Sequence, residues 1–408
     1  MPNSSQATST ALTTAVGIKE SIHHSRTTQS SESRFDSLRS EWTLFAPQRE
    51  QRPDDFDVVT ADESSSQGCP FCAGHEDQTP ASVWVGRLSG HQGKKRYEID
   101  TSGQPCGSDW DVRVVGNKFP AVQSFCNPIV DSSSETYLPK PANNAMAPRS
   151  VTGSSTSRSL FSRAPARGGH EVIIESNRHT RSLADVSPLQ AELVFAAYRD
   201  RMRHYRNQPD VRYVSVFKNV GPDAGASLAH SHSQLIATNF MPRSVEHSFG
   251  LMRRHRATTG CCLMCDMIRE ERKTKDRVIA RDNHVIAYCP FASHLPMMVR
   301  ITTHQHQAAF EDLDDESLAA VSRMVYRVIS WLDKIRPGTS YNYCLSTKPT
   351  SDEDSSDAFH WSIDIFPRLT RVAGFEWASG CMINPMLPEE AAKQFRHYAA
   401  AENPQRMP

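Results

Sequence analysis

Short runs with apolar residues at two- or 3.6-residue spacing punctuate the chain, separated by polar stretches with no periodicity. Between residues 187 and 206, Leu189, Leu193, Ala197 and Met202 fall on one side of a predicted helix. From about 313 to 335, Leu318, Val321, Val325, Val328 and Leu332 at 3,4,3,4 spacing predict another. Runs rich in β-branched and aromatic residues predict strands in EWTLF, DVRVVGNKFPAV, HEVIIESNRH ending at His179, the segment of Val214, Val216 and Phe217, and Gln234 to Thr238. Further strands are predicted in DNHVIAYCPFA, PMMVRITTHQH, YNYCLSTKP and FHWSIDIFPR. Two stretches lack any pattern. Residues 1–37, Ser/Thr-rich at their start and without an apolar signal segment, read as a disordered tail, with a transit peptide as the alternative. Residues 131–165, rich in Ser, Pro and Asn, read as a flexible surface insertion.

The order of elements occurs twice. Each half has a Cys-x-x-Cys pair, a strand, a strand ending in His, an amphipathic helix, a strand, a loop, and a strand opening with His. His179 and His230 are 51 residues apart, and His306 and His360 are 54. Cys265 to His306 spans 41 residues against 107 from Cys72 to His179, an excess largely accounted for by the 131–165 insertion. An internal duplication is the simplest account. It divides the chain into a catalytic N-terminal half, 38–245, and a C-terminal half, 246–400. Each is expected to be an antiparallel sheet with a packed helix, an α+β fold.

Composition narrows the function. The 408 residues carry 46 basic and 46 acidic side chains, so no global field attracts nucleic acid or an anionic membrane. Mean hydropathy is −0.53, and no apolar run approaches the ~20 residues of a membrane-spanning helix. A soluble protein is expected. Ten cysteines without a signal peptide predict free thiols in a reducing compartment, the cytoplasm.

The repeat then sorts the chemistry-bearing residues. Two cysteines and two histidines recur in each half, and that combination is a closed tetrahedral zinc set. The predicted ligands are Cys69, Cys72, His179 and His230 for one ion and Cys262, Cys265, His306 and His360 for a second. His304 would share a strand face with His306, and the repeat alignment selects His306. His232 has no counterpart, because Ser362 stands two residues after His360. If the segment around them is a strand, His230 and His232 project to one face beside a loop containing Gly221 and Gly225. A histidine outside the structural pattern is the better candidate for chemistry.

The motifs WTLFAPQREQRP, CPFC, VVGNKFPAV, HEVIIESNRH, FKNVGPDAGASLAHSHSQ, CPFASHLP, HWSIDIFPR and GFEWASGCMINP occur in order across about residues 38–398. In these the chain resembles the galactose-1-phosphate uridylyltransferase family of the histidine triad superfamily. The resemblance implies two fused histidine-triad-like halves, with His232 as nucleophile and Gln234 holding the transferred phosphate. It implies phosphate contacts from Asn219 and Ser227, basic residues Arg49 and Arg52 near the nucleotide phosphates, and Asn117 beside the nucleotide. It also implies a homodimer. Some wording departs from the uridylyltransferases: His-Ser-His replaces His-Pro-His, and Asn117-Lys118 replaces Asn-Asp. Thr370 or Arg371, and Met382, stand where a Lys and a Gln contact the hexose phosphate. SHSQ and GFE…GCMINP look more like the ADP-glucose phosphorylase branch.

The expected activity is transfer of a nucleoside monophosphate from a nucleotide sugar to a sugar 1-phosphate through a nucleotidyl-histidine, of the UDP-glucose–hexose-1-phosphate uridylyltransferase type in galactose metabolism. Phosphorolysis of ADP-glucose, with phosphate as acceptor, is the alternative. A nucleotide hydrolase using the same His232, and a non-catalytic zinc-stabilised binding module, are two further readings.

Overall fold

Alternating apolar residues make the strands, and apolar faces on two long helices cover one side of the sheet they form. The computed structural model describes residues 31–47, 68–89, 96–104, 106–124, 166–350 and 357–402. The expectations for residues 1–30, for Arg49 and Arg52, and for the 131–165 insertion lie outside the described residues.

The first part of the chain contributes β1 (Glu32–Asp36), β2 (Glu41–Phe45), β3 (Ser82–Leu88), β4 (Tyr97–Asp100), β5 (Val112–Gly116) and β6 (Gly168–Ile174). Helix α1 (Pro188–Arg206), β7 (Tyr213–Val220), β8 (His232–Thr238) and α2 (Arg243–Thr259) follow. Then come α3 (Leu263–Thr274), β9 (Val278–Arg281), β10 (Val285–Tyr288), β11 (Val299–Thr303), α4 (Asp315–Ile335) and β12 (Tyr341–Ser346). The chain closes with β13 (Ser362–Pro367), α5 (Gly374–Ser379), β14 (Met382–Asn384) and α6 (Pro388–Glu402).

Eleven strands form one antiparallel sheet in the order β4-β3-β5-β6-β8-β7-β12-β13-β11-β10-β9. Outward from its centre, β7, β8, β6, β5 and β3 on one side mirror β12, β13, β11, β10 and β9 on the other. The central pair is antiparallel, with Asn219 opposite Asn342 and Lys218 opposite Tyr343. The two sides are thus related by an approximate two-fold between β7 and β12.

The two long helices pack side by side on one face of the sheet. Ser187 caps α1, its hydroxyl accepting from the Gln190 N–H, and Asp314 caps α4 by accepting from the Ser317 N–H. Beneath them lies the main core, including Phe195, Phe310, Trp331 and Trp361. Two smaller apolar clusters form around the cysteine pairs, one with Phe71 and Trp110, the other with Phe249 and Met264. The α+β class, with antiparallel strands and packed helices, is the fold observed.

Some boundaries differ from expectation. Regular structure reaches into the stretch read as a disordered tail: β1 pairs with β2, and Arg34 bonds Glu389 at 2.9 Å. Five polar-rich residues anchored by an ion pair carry too little apolar periodicity to register in sequence. HEVIIESNRH stops being a strand at Ile174, leaving His179 in the irregular segment that follows. Likewise β8 begins at His232 and β13 at Ser362, so His230 and His360 precede their strands. Among the described residues no helix is long and apolar enough to cross a membrane.

Candidate active site

His232, the first residue of β8, is 6% exposed, and its ring meets Phe71 edge-on at 5.3 Å between centroids. Its Nδ1 lies 2.7 Å from the His230 carbonyl oxygen, which only a ring N–H can satisfy. In the neutral ring the proton is therefore on Nδ1, and Nε2 keeps its lone pair. Burial pushes the His232 pKa below its ordinary value and the Lys218 ammonium adds to that, while the bond to His230 opposes it. A neutral imidazole with Nε2 available is a nucleophile.

Gln234, two residues along β8, shares the face of His232. Its Oε1 lies 2.9 Å from Nε2 of His170 on the neighbouring β6. The Ala121 backbone N–H donates to His170 Nδ1 at 3.0 Å, which places the His170 proton on Nε2, donating to Gln234. The Gln234 oxygen is thereby occupied, and its NH₂ is free to face the site. The Asn117 side-chain nitrogen lies 3.1 Å from the same His170 nitrogen.

The loop after β7 turns on Gly221 (φ 81°) and Gly225 (φ 78°), left-handed conformations that suit glycine. A Cβ on Gly221 would stand 2.2 Å from the Ser340 hydroxyl. Asn342 on β12 holds this loop. Its amide nitrogen donates to the Ala224 carbonyl at 2.8 Å and to Asn219 Oδ1 at 2.7 Å, while its oxygen accepts from Arg368 Nε at 2.5 Å. Asn219 thus also has its oxygen engaged and its NH₂ left over. Ser227 is exposed farther along the loop.

Both predicted metal sets are assembled. Within Cys69, Cys72, His179 and His230, and within Cys262, Cys265, His306 and His360, all donor atoms lie within 4.8 Å of one another. Zinc–sulfur and zinc–nitrogen bonds of ~2.3 and ~2.0 Å at the tetrahedral angle would separate S from N by ~3.5 Å. The observed Sγ–Nδ1 separations are 3.4 Å (Cys69–His230), 3.5 Å (Cys72–His179 and Cys72–His230), 3.5 Å (Cys265–His360) and 3.6 Å (Cys265–His306). The outer nitrogens are braced: His230 Nε2 donates to the Ser176 carbonyl at 2.9 Å, and His360 Nε2 lies 3.0 Å from the Thr303 hydroxyl. His304 instead donates from Nε2 to the Asp282 carbonyl. The Cys262 thiol is pushed down to about 2 by its hydrogen bond with Cys265, which is correspondingly pushed up. Two thiolates in contact resist joint ionisation, a penalty that a divalent cation removes. The residues fit zinc.

Five residues on the opposite face of β8 were not anticipated. Lys218 and Glu175 are fully buried and pair at 2.5 Å. Ser231, Ser233 and Tyr198 also hydrogen-bond Glu175. Burial works to raise the Glu175 pKa, but the Lys218 charge and these bonds hold it below the ordinary range. The signal was present: Val214, Val216, Lys218 and Val220 form the inward set of β7, with a lysine in a valine register.

At the counterpart of this site β13 has Ser362 for His232 and Asp364 for Gln234, and Arg300 locks Asp364 in two 2.6 Å bonds. That half presents no histidine nucleophile there.

The family model described as a domain of unknown function (DUF4921) matches residues 150–403. The ADP-glucose phosphorylase of Arabidopsis thaliana is 30% identical over 371 residues, covering 90% of this chain and 93% of that one. The galactose-1-phosphate uridylyltransferase of Thermotoga maritima is 28% identical over 243 residues, covering 58% of this chain and 76% of its own. The crystal structure of an ADP-glucose phosphorylase from Arabidopsis thaliana with bound ADP-glucose superposes with a TM-score of 0.68 at 29% identity, over 90% of this chain and 98% of that one.

Proposed function

The chain belongs to the family of ADP-glucose phosphorylase and the galactose-1-phosphate uridylyltransferases, as a nucleotidyltransferase, and on that premise we propose that it transfers the adenylyl group of ADP-glucose to phosphate through His232. The observation that carries the histidine step is the Nδ1–H bond to the His230 carbonyl, which leaves Nε2 as a buried lone pair. The preference for ADP-glucose rests on the Arabidopsis relative, similar along nearly its whole length.

The Nε2 lone pair attacks the α-phosphorus, and the bond from that phosphorus to the bridging oxygen breaks. Glucose 1-phosphate leaves with the bonding electrons, and the adenylyl group stays on His232 as a phosphoramidate. Phosphate then attacks the same phosphorus, the P–N bond breaks, and ADP departs with His232 restored. Charge building on the phosphoryl oxygens meets the amide NH₂ of Gln234, a donor already fixed by His170, while the Asn219 NH₂, fixed by Asn342, grips the phosphates equally before and during transfer. Arg49, Arg52, Asn117 and Ser227 are assigned to nucleotide and phosphate binding by the same reading. Zinc held by Cys69, Cys72, His179 and His230 would brace the turn that precedes β8, a structural metal. A second ion held by Cys262, Cys265, His306 and His360 would do the same for β13.

Uridylyl transfer from UDP-glucose to a hexose 1-phosphate is the second reading, favoured by the Thermotoga relative. One experiment separates the two. Incubation with α-³²P-labelled ADP-glucose is expected to give acid-labile, base-stable label on the protein, lost in His232→Ala and discharged by phosphate. Stronger labelling from UDP-glucose, discharged by hexose 1-phosphate, supports the second reading. Label undiminished in His232→Ala, or none from either substrate, overturns the covalent route. Steady nucleotide release without an acceptor identifies a hydrolase instead.

A further inference from the structure

The floor beneath the nucleophile differs from its counterpart in a way the fold does not require. Sheet register equates positions in the two halves. Lys218 faces Ser233 across β7 and β8 as Leu345 faces Ile363 across β12 and β13. Ser231, one residue before His232, corresponds to Trp361, one before Ser362. Leu345, Trp361 and Ile363 are buried in the main apolar core. The same three positions under His232 hold Lys218, Ser231 and Ser233, all at most 2% exposed.

Removing two opposite charges from water costs about as much as their attraction returns, and apolar side chains of similar volume commonly serve stability as well or better. One half of this chain already does without the two charges, with Leu345 for Lys218 and Thr303 for Glu175. Stability therefore gives no reason for a buried ion pair in the other half.

The network instead grips three consecutive residues. Lys218 Nζ donates to the His232 carbonyl at 3.2 Å and to the Ser231 hydroxyl at 2.9 Å. The Ser231 hydroxyl donates to Glu175 at 2.6 Å, and the Ser233 hydroxyl donates to the other Glu175 oxygen. The backbone at 231 is pinned as well: its N–H donates to the Thr180 carbonyl at 2.6 Å, and its carbonyl accepts from the Glu175 N–H at 3.2 Å. Segment 231–233 is thus held from the face opposite the site.

We propose that Lys218 and Glu175 are positioning residues that fix the backbone of His232 so that its Nε2 is aimed at the α-phosphorus. This rests on the reading of His232 as nucleophile. Neither side chain touches the substrate, and both act through residues 231–233. The second half, with no nucleophile to aim, has apolar Leu345, Trp361 and Ile363 for Lys218, Ser231 and Ser233, and uncharged Thr303 for Glu175.

The test uses the full-length protein with both charges removed together, Lys218→Leu with Glu175→Gln, so that no charge is left buried alone. The double variant is expected to fold and to keep its metal content. Its half-saturating concentration of ADP-glucose in single-turnover labelling should stay close to that of the wild type. Its labelling rate at saturation should fall by about 100-fold, the order expected for a nucleophile misplaced by about an ångström. A double variant that labels at the wild-type rate overturns the proposal, as does one that loses nucleotide binding and rate in parallel. Ser231→Ala and Ser233→Ala, which strand no charge, provide the check should the double variant not fold. Each should slow labelling at saturation without changing half-saturation, and wild-type rates in both would overturn the proposal. If the wild type itself takes no label, the failure is that of His232 as nucleophile. If the wild type labels and the variants keep pace, only the positioning role fails.

Discussion

Backbone groups of fixed role, the His230 carbonyl and the Ala121 N–H, decide the proton positions around the site. The Ala121 N–H donates to His170 Nδ1, so His170 is neutral with its proton on Nε2. A second proton would set N–H against N–H at Ala121. Burial holds the His170 pKa below its ordinary 6.5, partly opposed by the acceptor Gln234. The sign follows from the unfolded chain, whose His170 takes up a proton first as pH falls through about 6.5. The contribution of His170 to stability is therefore full above that pH and is lost as pH falls from there toward its lower folded value. NMR titration of the His170 ring is expected to give a midpoint below 6.5. In Gln234→Leu, which removes the acceptor that favours the charged ring, the midpoint should fall further. An unshifted or raised midpoint in the wild type would contradict this arrangement. His232 stood out as a candidate in sequence because the duplication left it without a counterpart. His170 was not, because its role comes from a diagonal contact with Gln234 across β6 and β8, and register between strands 64 residues apart is not written in either segment.

At the level of elements, the two Cys-x-x-Cys turns and their histidines were readable because spacing along the chain survives duplication. Their assembly shows why. Cys262 sits at the N-cap of α3, His306 follows β11 and His360 precedes β13, so one cluster joins three elements. The first cluster likewise ties the Cys69–Cys72 turn to the ends of β6 and β8. Metal analysis is expected to find two zinc ions per chain. Cys72→Ser and Cys265→Ser should each lose one ion and lower the melting temperature. Only Cys72→Ser should also slow labelling, since His230, which shares its cluster, provides the carbonyl that holds His232. A single ion in the wild type, or equal loss of labelling in both variants, would contradict the division of roles. Other elements left weak traces. Helix α2 buries only Phe249 and Met252, and its N-cap Pro242 supplies no side-chain cap, so neither stripe nor start signal marks it. Strand β4, four residues with none buried, pairs at the sheet edge with β3 alone among the described residues.

Across the whole molecule, the halves join through β7 and β12, a contact between segments far apart in sequence that no local pattern announces. On the proposed reading it has a functional consequence, because the half that lacks a counterpart of His232 reaches under the candidate site of the other. Tyr343 on β12 hydrogen-bonds Tyr198 and lies 3.5 Å from the Ser233 hydroxyl, within the floor beneath His232. Beside it Asn342, opposite Asn219, ties the loop to the second half. The Ala224 carbonyl takes one Asn342 N–H, Asn219 Oδ1 takes another, and Arg368 fills the Asn342 oxygen. Asn342 is 7% exposed, so water does not readily replace what its removal would break. Asn342→Ala loses one bond to the loop and one to Asn219 at the end of β7, each worth about 1 kcal/mol net, which together correspond to about 30-fold in binding. The expected outcome is a half-saturating ADP-glucose concentration raised by about that factor. The labelling rate at saturation should change little, because the loop grips the phosphates while His232 keeps its own supports. That is the reverse of the pattern expected for Lys218 and Glu175. Unchanged half-saturation in Asn342→Ala would show that the loop holds its shape without the second half.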